Sequence, residues 1–149
     1  ELGDHSYSHP LLTKKSADEV YQEVHKTSDL IAKASGGLRP MSLRPPYCGF
    51  DKMVSEQAGI AIVNWSIDSL DWKHRAAEKT IEHIKKNATD GGILLMHDIH
   101  EESVEALPAV IEYLQAEGYE LVTVTELMAD QPLKPNYVYF DRVENKQVQ

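Results

Sequence analysis

The sequence predicts an α/β fold in which parallel strands alternate with helices, arranged as a layered sheet or a barrel. Residues 60–67 and 92–96 form two nearly continuous apolar runs, which are typical of strands buried on both faces of a parallel sheet. One segment with helical periodicity lies between these runs, and another follows the second run. This alternation implies right-handed βαβ crossovers, which build α/β layers and barrels.

Four elements are predicted in the first 59 residues: a strand stub at 1–3, a helix at 16–36, an extended run at 41–43 and a short helix at 51–58. Ser16 and Glu19 form the S-x-x-E pattern of a capping box, which marks a helix start. Gly36 and Gly59 are the glycines that end the two helices. The extended run stops before two prolines, since a residue preceding proline disfavours helical dihedrals.

The second half is predicted to alternate strands at residues 60–67, 92–96 and 121–124 with helices at residues 76–87, 104–117 and 125–128. Ile81 and Ile84 form the inward face of the first of these helices. Pro108 is compatible with the next helix only if it lies in the first turn. After Gln131 the hydrophobic periodicity is lost, and residues 143–149 are predicted to form a polar, mobile tail.

The composition is that of an acidic globular domain. The chain has 149 residues, which fits one domain, and hydrophobic residues make up 42% of it. The formal net charge of −9 gives no basic surface for a nucleic acid backbone and no attraction to anionic lipid. A single cysteine, Cys48, excludes an intrachain disulfide. Residue 1 is Glu rather than Met, so we expect a processed or excised piece of a longer chain.

Two histidines four residues apart, His5 and His9, are the first candidates for a functional site. Two imidazoles at this spacing can bind one divalent metal, and a hydrolytic metal site adds a third protein ligand and a water. Both histidines follow the predicted strand stub, and active-site residues of such folds lie at the ends of strands. The alternative is a pair of surface histidines in a serine-rich loop, since seven histidines make a chance pair common.

His97 and Asp71 form a second candidate pair, each after a predicted strand. His97 follows the apolar run at residues 92–96, so its ring is expected at the rim of a buried sheet, where it can act as a general acid or base. Asp71 can bond to one imidazole nitrogen and fix the tautomer. For His97 taken alone, a histidine that satisfies a hydrogen bond in the core is the alternative.

Three further residues near strand ends are candidates with weaker individual signals. Arg44 precedes two prolines, so its backbone is stiff, and its guanidinium can orient a carboxylate. The turn at Tyr47 can present a backbone N–H to an oxyanion. Trp72 can stack on a sugar ring. The alternatives are a surface salt bridge for Arg44 and ordinary core packing for Trp72.

Four motifs follow one another along the chain: His5-x-x-x-His9, Arg44-Pro45-Pro46-Tyr47, Asp68-Ser69-Leu70-Asp71-Trp72 and Leu94-Leu95-Met96-His97. Their order and spacing resemble motifs two to five of the polysaccharide deacetylase (NodB-homology, carbohydrate esterase) family. The resemblance is strongest to streptococcal peptidoglycan N-acetylglucosamine deacetylases, through residues 68–73 and 95–100. We therefore expect residues 1–130 to be the C-terminal portion of such a catalytic domain and residues 131–149 to be a C-terminal tail.

The resemblance implies a distorted (β/α) barrel with its groove at the carboxyl ends of the strands. It implies that His5 and His9 bind a divalent metal, zinc or alternatively cobalt, and that no organic cofactor is needed. It also implies six further roles: His97 as general acid with Asp71 as its partner, Arg44 as holder of the catalytic base, Tyr47 as oxyanion donor, and Trp72 and Leu94 lining the substrate site.

One family motif has no counterpart in this sequence. The first motif, an Asp-Asp pair on the first strand, carries the third metal ligand and the catalytic base in the family. No Asp-Asp pair occurs here, and Asp4 alone cannot serve both as the third metal ligand and as the catalytic base. The resemblance therefore implies an incomplete barrel that lacks its first strands. We expect the N-terminal fragment of the same precursor to supply the missing ligand and base.

The function implied by the resemblance is metal-dependent removal of the N-acetyl group from N-acetylglucosamine residues of cell-wall peptidoglycan. The expected location is extracellular, at the surface or wall of a Gram-positive bacterium, and the expected partner is peptidoglycan or another glycan that contains N-acetylglucosamine. Two alternatives remain: a deacetylase that acts on chitin or xylan, and a non-catalytic fragment that binds glycan or a partner chain.

Overall fold

The computed structural model describes all residues, Glu1–Gln149, and divides them into two compact units, although the length alone predicts one domain. Unit 1 comprises Glu1–Asn64 and Met128–Gln149, and unit 2 comprises Trp65–Leu127. The strands are β1 (Ser42–Leu43), β2 (Ala61–Val63), β3 (Ile67–Asp68), β4 (Leu94–Leu95), β5 (Tyr137–Tyr139) and β6 (Asn145–Gln147). The α-helices are α1 (Ala17–Ala34), α2 (Lys52–Ala58), α3 (Asp71–His74), α4 (Ala77–Asn87), α5 (Glu101–Ala116) and α6 (Val124–Leu127).

Unit 1 is built on a four-stranded sheet in the order β1-β2-β5-β6. The first three strands are parallel, with Leu43 opposite Ile62 and Ile62 opposite Val138, and β6 is antiparallel to β5. Asp4 adds an isolated parallel bridge on the outer side of β1. The strand stub predicted at residues 1–3 is therefore reduced to this single bridge at Asp4.

The core of unit 1 lies around helices α1 and α2, which pack against each other. One cluster of its buried apolar residues consists of Leu12, Val20, Val24, Leu43, Val54 and Ala58. The predicted capping box is present, because the Ser16 hydroxyl accepts from the Glu19 N–H and the Glu19 carboxylate accepts from the Ser16 N–H. Gly59 ends α2 with a φ of 66°, in the left-handed region that glycine adopts without strain.

Unit 2 contains the parallel pair β3–β4, with Ile67 opposite Leu94. Helices α4 and α5 pack together around a cluster of Ile84, Val110 and Leu114. No helix of the chain is both long and apolar enough to cross a bilayer. The predicted α/β class is confirmed, as are the helices predicted at residues 16–36, 51–58 and 76–87.

The strand predicted at residues 60–67 is wrong as a single element, because it consists of two strands in different units. The Asn64 N–H still donates to the Tyr139 carbonyl in unit 1, at 2.8 Å. The Ser66 N–H donates to the Ile93 carbonyl in unit 2, at 3.2 Å. The break falls at the polar residues Asn64 and Ser66, of which Ser66 is exposed, so the run is less uniformly apolar than a single buried strand.

The strand predicted at residues 121–124 is also wrong. Leu121 and Val122 lie in an irregular segment with 48% and 44% of their surface exposed. A second capping box follows, in which the Thr123 hydroxyl accepts from the Glu126 N–H at 3.2 Å and the Glu126 carboxylate accepts from the Thr123 N–H at 2.8 Å. This local motif starts helix α6 at Val124, where the β-branched pattern indicates a strand.

Helix α5 begins three residues earlier than predicted, at Glu101, so Pro108 lies in its interior rather than in its first turn. Proline has no N–H, so the carbonyl of Val104, four residues earlier, has no intrahelical partner. Val104 and Pro108 are both exposed, so water can solvate that carbonyl.

The segment after Gln131, predicted to lack regular structure, contains the hairpin of β5 and β6. Val138 is fully buried and Tyr139 is 2% exposed, so this hairpin is part of the core of unit 1. The Asp141 carboxylate accepts from the N–H groups of Val143 and Glu144 in the turn. Strands of three residues are too short to produce a periodic pattern.

Candidate functional site

The two histidines predicted to bind metal lie together in unit 1. The rings of His5 and His9 are 4.9 Å apart between centroids and meet edge to face. His9 makes a second edge-to-face contact, with Tyr47, at a centroid distance of 4.9 Å. The structure therefore brings together three of the residues that the sequence analysis selected, although 42 positions separate His5 from Tyr47.

The loop that carries the two histidines, residues 5–9, adopts an unusual backbone. Ser6 and His9 have φ angles of 64° and 58°, in the left-handed region that residues other than glycine seldom adopt. The Ser6 N–H donates to the Asp4 carboxylate at 2.8 Å, and the His9 N–H donates to the Ser6 hydroxyl at 3.1 Å. These bonds fold the loop back on itself and bring the rings together.

Asp4 is an anchor for this loop and is buried, with 1% of its surface exposed. Besides the Ser6 N–H, it accepts a hydrogen bond from the Ser28 hydroxyl on α1 at 2.8 Å. Burial raises the pKa of Asp4, and the bonds from Ser28 and Ser6 only partly offset that effect. Asp4 is thus engaged in holding the loop against α1.

Arg44 contacts His5 through its backbone. The Arg44 carbonyl accepts a hydrogen bond from Nδ1 of His5. Because a carbonyl can only accept, this bond assigns the proton to Nδ1 and places the lone pair of the ring on Nε2. Metal-binding histidines are commonly oriented through such a bond to a backbone carbonyl.

The turn after Arg44 contains two consecutive residues in the left-handed region, Tyr47 and Cys48, each with a φ of 58°. Tyr47 is 71% exposed, and its N–H has no acceptor within the chain, whereas the N–H groups of Cys48 and Gly49 bond to Pro45 and Pro46. Burial raises the pKa of the Cys48 thiol. The oxyanion role predicted for the Tyr47 N–H stays a prediction.

In unit 2, Asp71 and His97 form the predicted pair. Nδ1 of His97 lies 2.8 Å from Oδ1 of Asp71, and the His97 N–H donates to Oδ2 at 2.7 Å. A carboxylate accepts, so Nδ1 carries the proton and Nε2 is the nitrogen left for chemistry. The His97 side chain is 26% exposed, whereas that of Asp71 is 1% exposed.

The Asp71 carboxylate accepts two further hydrogen bonds, from the Trp72 N–H and the Ser103 hydroxyl, each at 2.7 Å. Burial alone would raise the pKa of Asp71. The bonds from His97, Ser103 and Trp72 outweigh burial and lower the pKa to about 2. Asp71 is therefore negatively charged at neutral pH and fixes the orientation of the His97 ring.

Trp72 and Leu94, predicted to line the substrate site, lie in different surroundings within unit 2. Trp72 is 50% exposed, so its ring is available for stacking. Leu94 packs together with Met96 against the cluster of Ile84, Val110 and Leu114. Side chains alternate along a strand, so the intervening Leu95 faces the other side. The role predicted for Leu94 gains no support from this placement and stays a prediction.

The donors present suit a divalent metal but do not complete its ligand set. Two adjacent imidazoles, one with its second nitrogen held by a carbonyl, are ligands suited to zinc or cobalt. Nowhere in the chain do three His, Cys, Asp or Glu side chains form a group that could hold a metal ion. His5 and His9 thus fit as two ligands of a larger set.

Comparison with known proteins decides the family. Residues 1–64 match the family model for polysaccharide deacetylase. The solved structure of T48 deacetylase with substrate is 39% identical to this chain, with a TM-score of 0.89. The match covers 93% of this chain and 69% of that structure. This chain belongs to the polysaccharide deacetylase family.

Two curated relatives extend the comparison for this chain. Peptidoglycan-N-acetylglucosamine deacetylase PgdA of Listeria monocytogenes is 39% identical over 148 residues, which are 99% of this chain and 31% of PgdA. Peptidoglycan-N-acetylmuramic acid deacetylase PdaC of Bacillus subtilis is 39% identical over 127 residues, 85% of this chain and 27% of PdaC. The chain thus spans about a third or less of each relative's length.

Sequence reasoning missed two residues that support the candidate site residues. Ser103 lies on the buried face of α5 with Ala106 and Val110. A hydroxyl within an apolar stripe needs a partner, and that signal could have identified it. Glu23 accepts three hydrogen bonds from residues 7 and 8. It lies on the polar side of α1, where many carboxylates have no special role, so no sequence signal distinguishes it.

Proposed function

We propose that this protein is a metal-dependent hydrolase that removes the N-acetyl group from N-acetylglucosamine residues of peptidoglycan. The observation that carries the proposal is the Asp71–His97 pair, a buried carboxylate that holds an imidazole by one nitrogen and leaves the other for proton transfer. The alignment with PgdA, which is 39% identical and covers 99% of this chain, supports peptidoglycan N-acetylglucosamine as the substrate.

In the proposed reaction, water adds to the acetamide carbonyl, the C–N bond breaks, and the products are acetate and a free sugar amine. His97 donates the proton from Nε2 to the departing nitrogen, which would otherwise leave as an unstable amide anion. The fixed charge of Asp71 stabilises the protonated ring that delivers this proton.

His5 and His9 would hold a divalent metal, with zinc as the expected ion and cobalt as the alternative. When bound, such an ion supplies Lewis-acid polarisation of the acetamide carbonyl and of the attacking water. The bond from His5 to the Arg44 carbonyl supports this role, since it orients the ring and places its lone pair on Nε2.

Three further residues have supporting roles in the proposal. The Tyr47 N–H, which has no acceptor in the chain, would donate to the oxyanion. Trp72, half exposed, would stack on a sugar ring. The Arg44 guanidinium would orient the carboxylate that acts as base.

We further propose that the third metal ligand and the catalytic base come from protein outside these 149 residues. The chain has no Asp-Asp pair and no group of three metal-binding side chains, and it covers 69% of the T48 deacetylase structure. The partner expected to supply them is the N-terminal part of the same precursor. We expect these residues alone to release no acetate. Because peptidoglycan lies outside the cytoplasmic membrane, we also propose action at the cell surface or wall.

A deacetylation assay tests the proposal. The intact protein is incubated with peptidoglycan and with N-acetylglucosamine oligomers, with and without added zinc or cobalt, and acetate is measured. We expect metal-dependent release of acetate and glucosamine in the digested muropeptides by mass spectrometry. His97→Ala should lower the rate about 10²–10⁴-fold, the usual contribution of a general acid, while zinc binding persists.

His83→Ala, on α4, is the matched control and should keep full activity. Loss of zinc in the His97 variant would make His97 a ligand and overturn its assigned role. Muramic acid in place of glucosamine would show that the sugar assignment is wrong. Glycan binding without any release of acetate would favour the non-catalytic alternative. Acetate from the N-acetylglucosamine oligomers but not from peptidoglycan would favour a deacetylase that acts on chitin.

A further inference from the structure

We propose that Glu23, on helix α1, is a positioning residue that holds loop 5–9 in the conformation that binds a divalent metal. The inference rests on the metal-binding role proposed above for His5 and His9. Its carboxylate accepts hydrogen bonds from Tyr7 and Ser8, between the two histidines, so we infer that it acts through the backbone that carries the rings.

Loop 5–9 needs an external anchor because its conformation is unfavourable and three of its five residues are exposed. Ser6 and His9 have positive φ angles without being glycine, and such residues persist only where the surroundings enforce them. Tyr7, Ser8 and His9 are exposed, so burial of apolar surface does not hold this part of the loop.

Glu23 provides that anchor with both oxygens of its carboxylate. Oε2 accepts from the N–H groups of Tyr7 at 2.9 Å and Ser8 at 2.7 Å, and Oε1 accepts from the Ser8 hydroxyl at 2.6 Å. Hydrogen bonds to a charged acceptor are stronger than neutral ones, and two successive amides aimed at one oxygen fix the backbone between the histidines.

Two neighbouring contacts extend the same attachment to α1. The Lys26 ammonium lies 3.5 Å from the centroid of the Tyr7 ring, and the Ser28 hydroxyl donates to Asp4 just before His5. Helix α1 thus holds the loop at its start through Ser28 and at its centre through Glu23. A rigid backbone keeps the two imidazoles adjacent before any metal arrives, which removes an ordering cost from binding.

The test measures zinc affinity directly, by competition with a chromophoric chelator, for the intact protein and its variants. Glu23→Ala should weaken zinc binding about 10–100-fold, the usual effect of removing a residue that orients metal ligands. Glu23→Gln, which keeps a neutral acceptor, should lose less. Asp29→Ala removes an exposed carboxylate of the same helix that pairs with Arg39 and should leave the affinity unchanged.

A second measurement does not depend on metal. Hydrogen exchange of the Tyr7 and Ser8 amides in the metal-free protein should be faster in the Glu23→Ala variant than in the wild type or in Asp29→Ala. Faster exchange together with a 10–100-fold weaker affinity is the expected result. Faster exchange with an affinity equal to that of Asp29→Ala would overturn the positioning role, because the loop would then bind metal without its anchor.

The His9→Ala variant separates this inference from the proposed function. Zinc binding that is lost in His9→Ala but unaffected by Glu23→Ala and Glu23→Gln overturns the inference alone. Zinc binding that His9→Ala does not weaken overturns the metal site and the inference with it.

Discussion

At the scale of single residues, the two buried aspartates show that the number of donors decides the charge of a carboxylate. Asp71 accepts four hydrogen bonds, which outweigh burial and lower its pKa to about 2. Asp4 accepts two, and burial prevails, so its pKa is raised. Asp71 is therefore ionised at neutral pH and suited to hold an imidazole, whereas Asp4 serves as a hydrogen-bond acceptor that anchors the loop.

The lowered pKa of Asp71 predicts a specific loss of stability in acid. The folded-state pKa of about 2 lies below the usual value of 3.8, so the charged carboxylate stabilises the fold at higher pH. This contribution is fully present above about pH 4 and is lost as the pH falls towards 2. The shift corresponds to about 2 kcal/mol of unfolding free energy.

Chemical denaturation at a series of pH values measures this contribution, with Asp71→Asn as the reference. The wild-type unfolding free energy should fall more steeply than that of the variant between about pH 4 and pH 2. Parallel curves for the two proteins would show that the bonds from His97 and Ser103 do not depend on the charge of Asp71.

At the scale of single elements, local motifs compete with hydrophobic pattern and sometimes prevail. The apolar residues 121–124 are typical of a strand, yet the Thr123–Glu126 capping box begins a helix there. In helix α5 the local signal does not prevail, since the helix continues through Pro108 in spite of the lost hydrogen bond. Packing of α5 against α4 stabilises the helix more than one internal proline destabilises it.

Pro108→Ala is predicted to stabilise the protein by about 1–3 kcal/mol, because proline is about 3 kcal/mol worse than alanine inside a helix. Pro108 is exposed, so the substitution leaves no cavity. Urea denaturation of the variant measures the change, with the exposed neighbour Leu107→Ala as a control expected within about 0.5 kcal/mol of the wild type. Destabilisation by Pro108→Ala would mean that the proline shapes a turn that the packing requires.

At the scale of the whole molecule, the C-terminal hairpin decides the architecture of unit 1. Strand β5 joins β2 in parallel although 74 positions separate Val138 from Asn64, the end of the first segment of this unit. The chain thus leaves unit 1, builds unit 2 and returns. The segment after Gln131, predicted from the sequence to be a tail, thus completes the sheet by adding β5 next to β2.

Two valines of the hairpin region form a matched pair for testing this arrangement. Val138 is fully buried and Val143 is 85% exposed. Val138→Ala should lower the unfolding free energy by about 2 kcal/mol through lost burial and a cavity, whereas Val143→Ala should change it by less than about 0.5 kcal/mol. Equal effects in urea denaturation would show that the hairpin does not belong to the core.

Much of the fold and part of the site followed from the sequence. The capping box at Ser16 and the C-terminal glycine at Gly59 placed helices α1 and α2 within a residue or two, since caps act over three or four positions. The pairing of Asp71 with His97 was also predicted, because each follows a strand of a parallel pair. Ser103 and Glu23 escaped prediction, as their hydrogen bonds join residues far apart in the chain.

The sequence by itself determined the α/β class, the family motifs and the helices marked by caps. These features depend on residue types at short, fixed spacings, where the chain interacts with itself locally. Only the tertiary structure decided that the apolar run at residues 60–67 divides between two sheets, that Tyr137–Tyr139 enters the first sheet, and that Glu23 holds the histidine loop. Each of these depends on which distant segments pair, a choice made by the free energy of the whole packed chain and not by any local pattern.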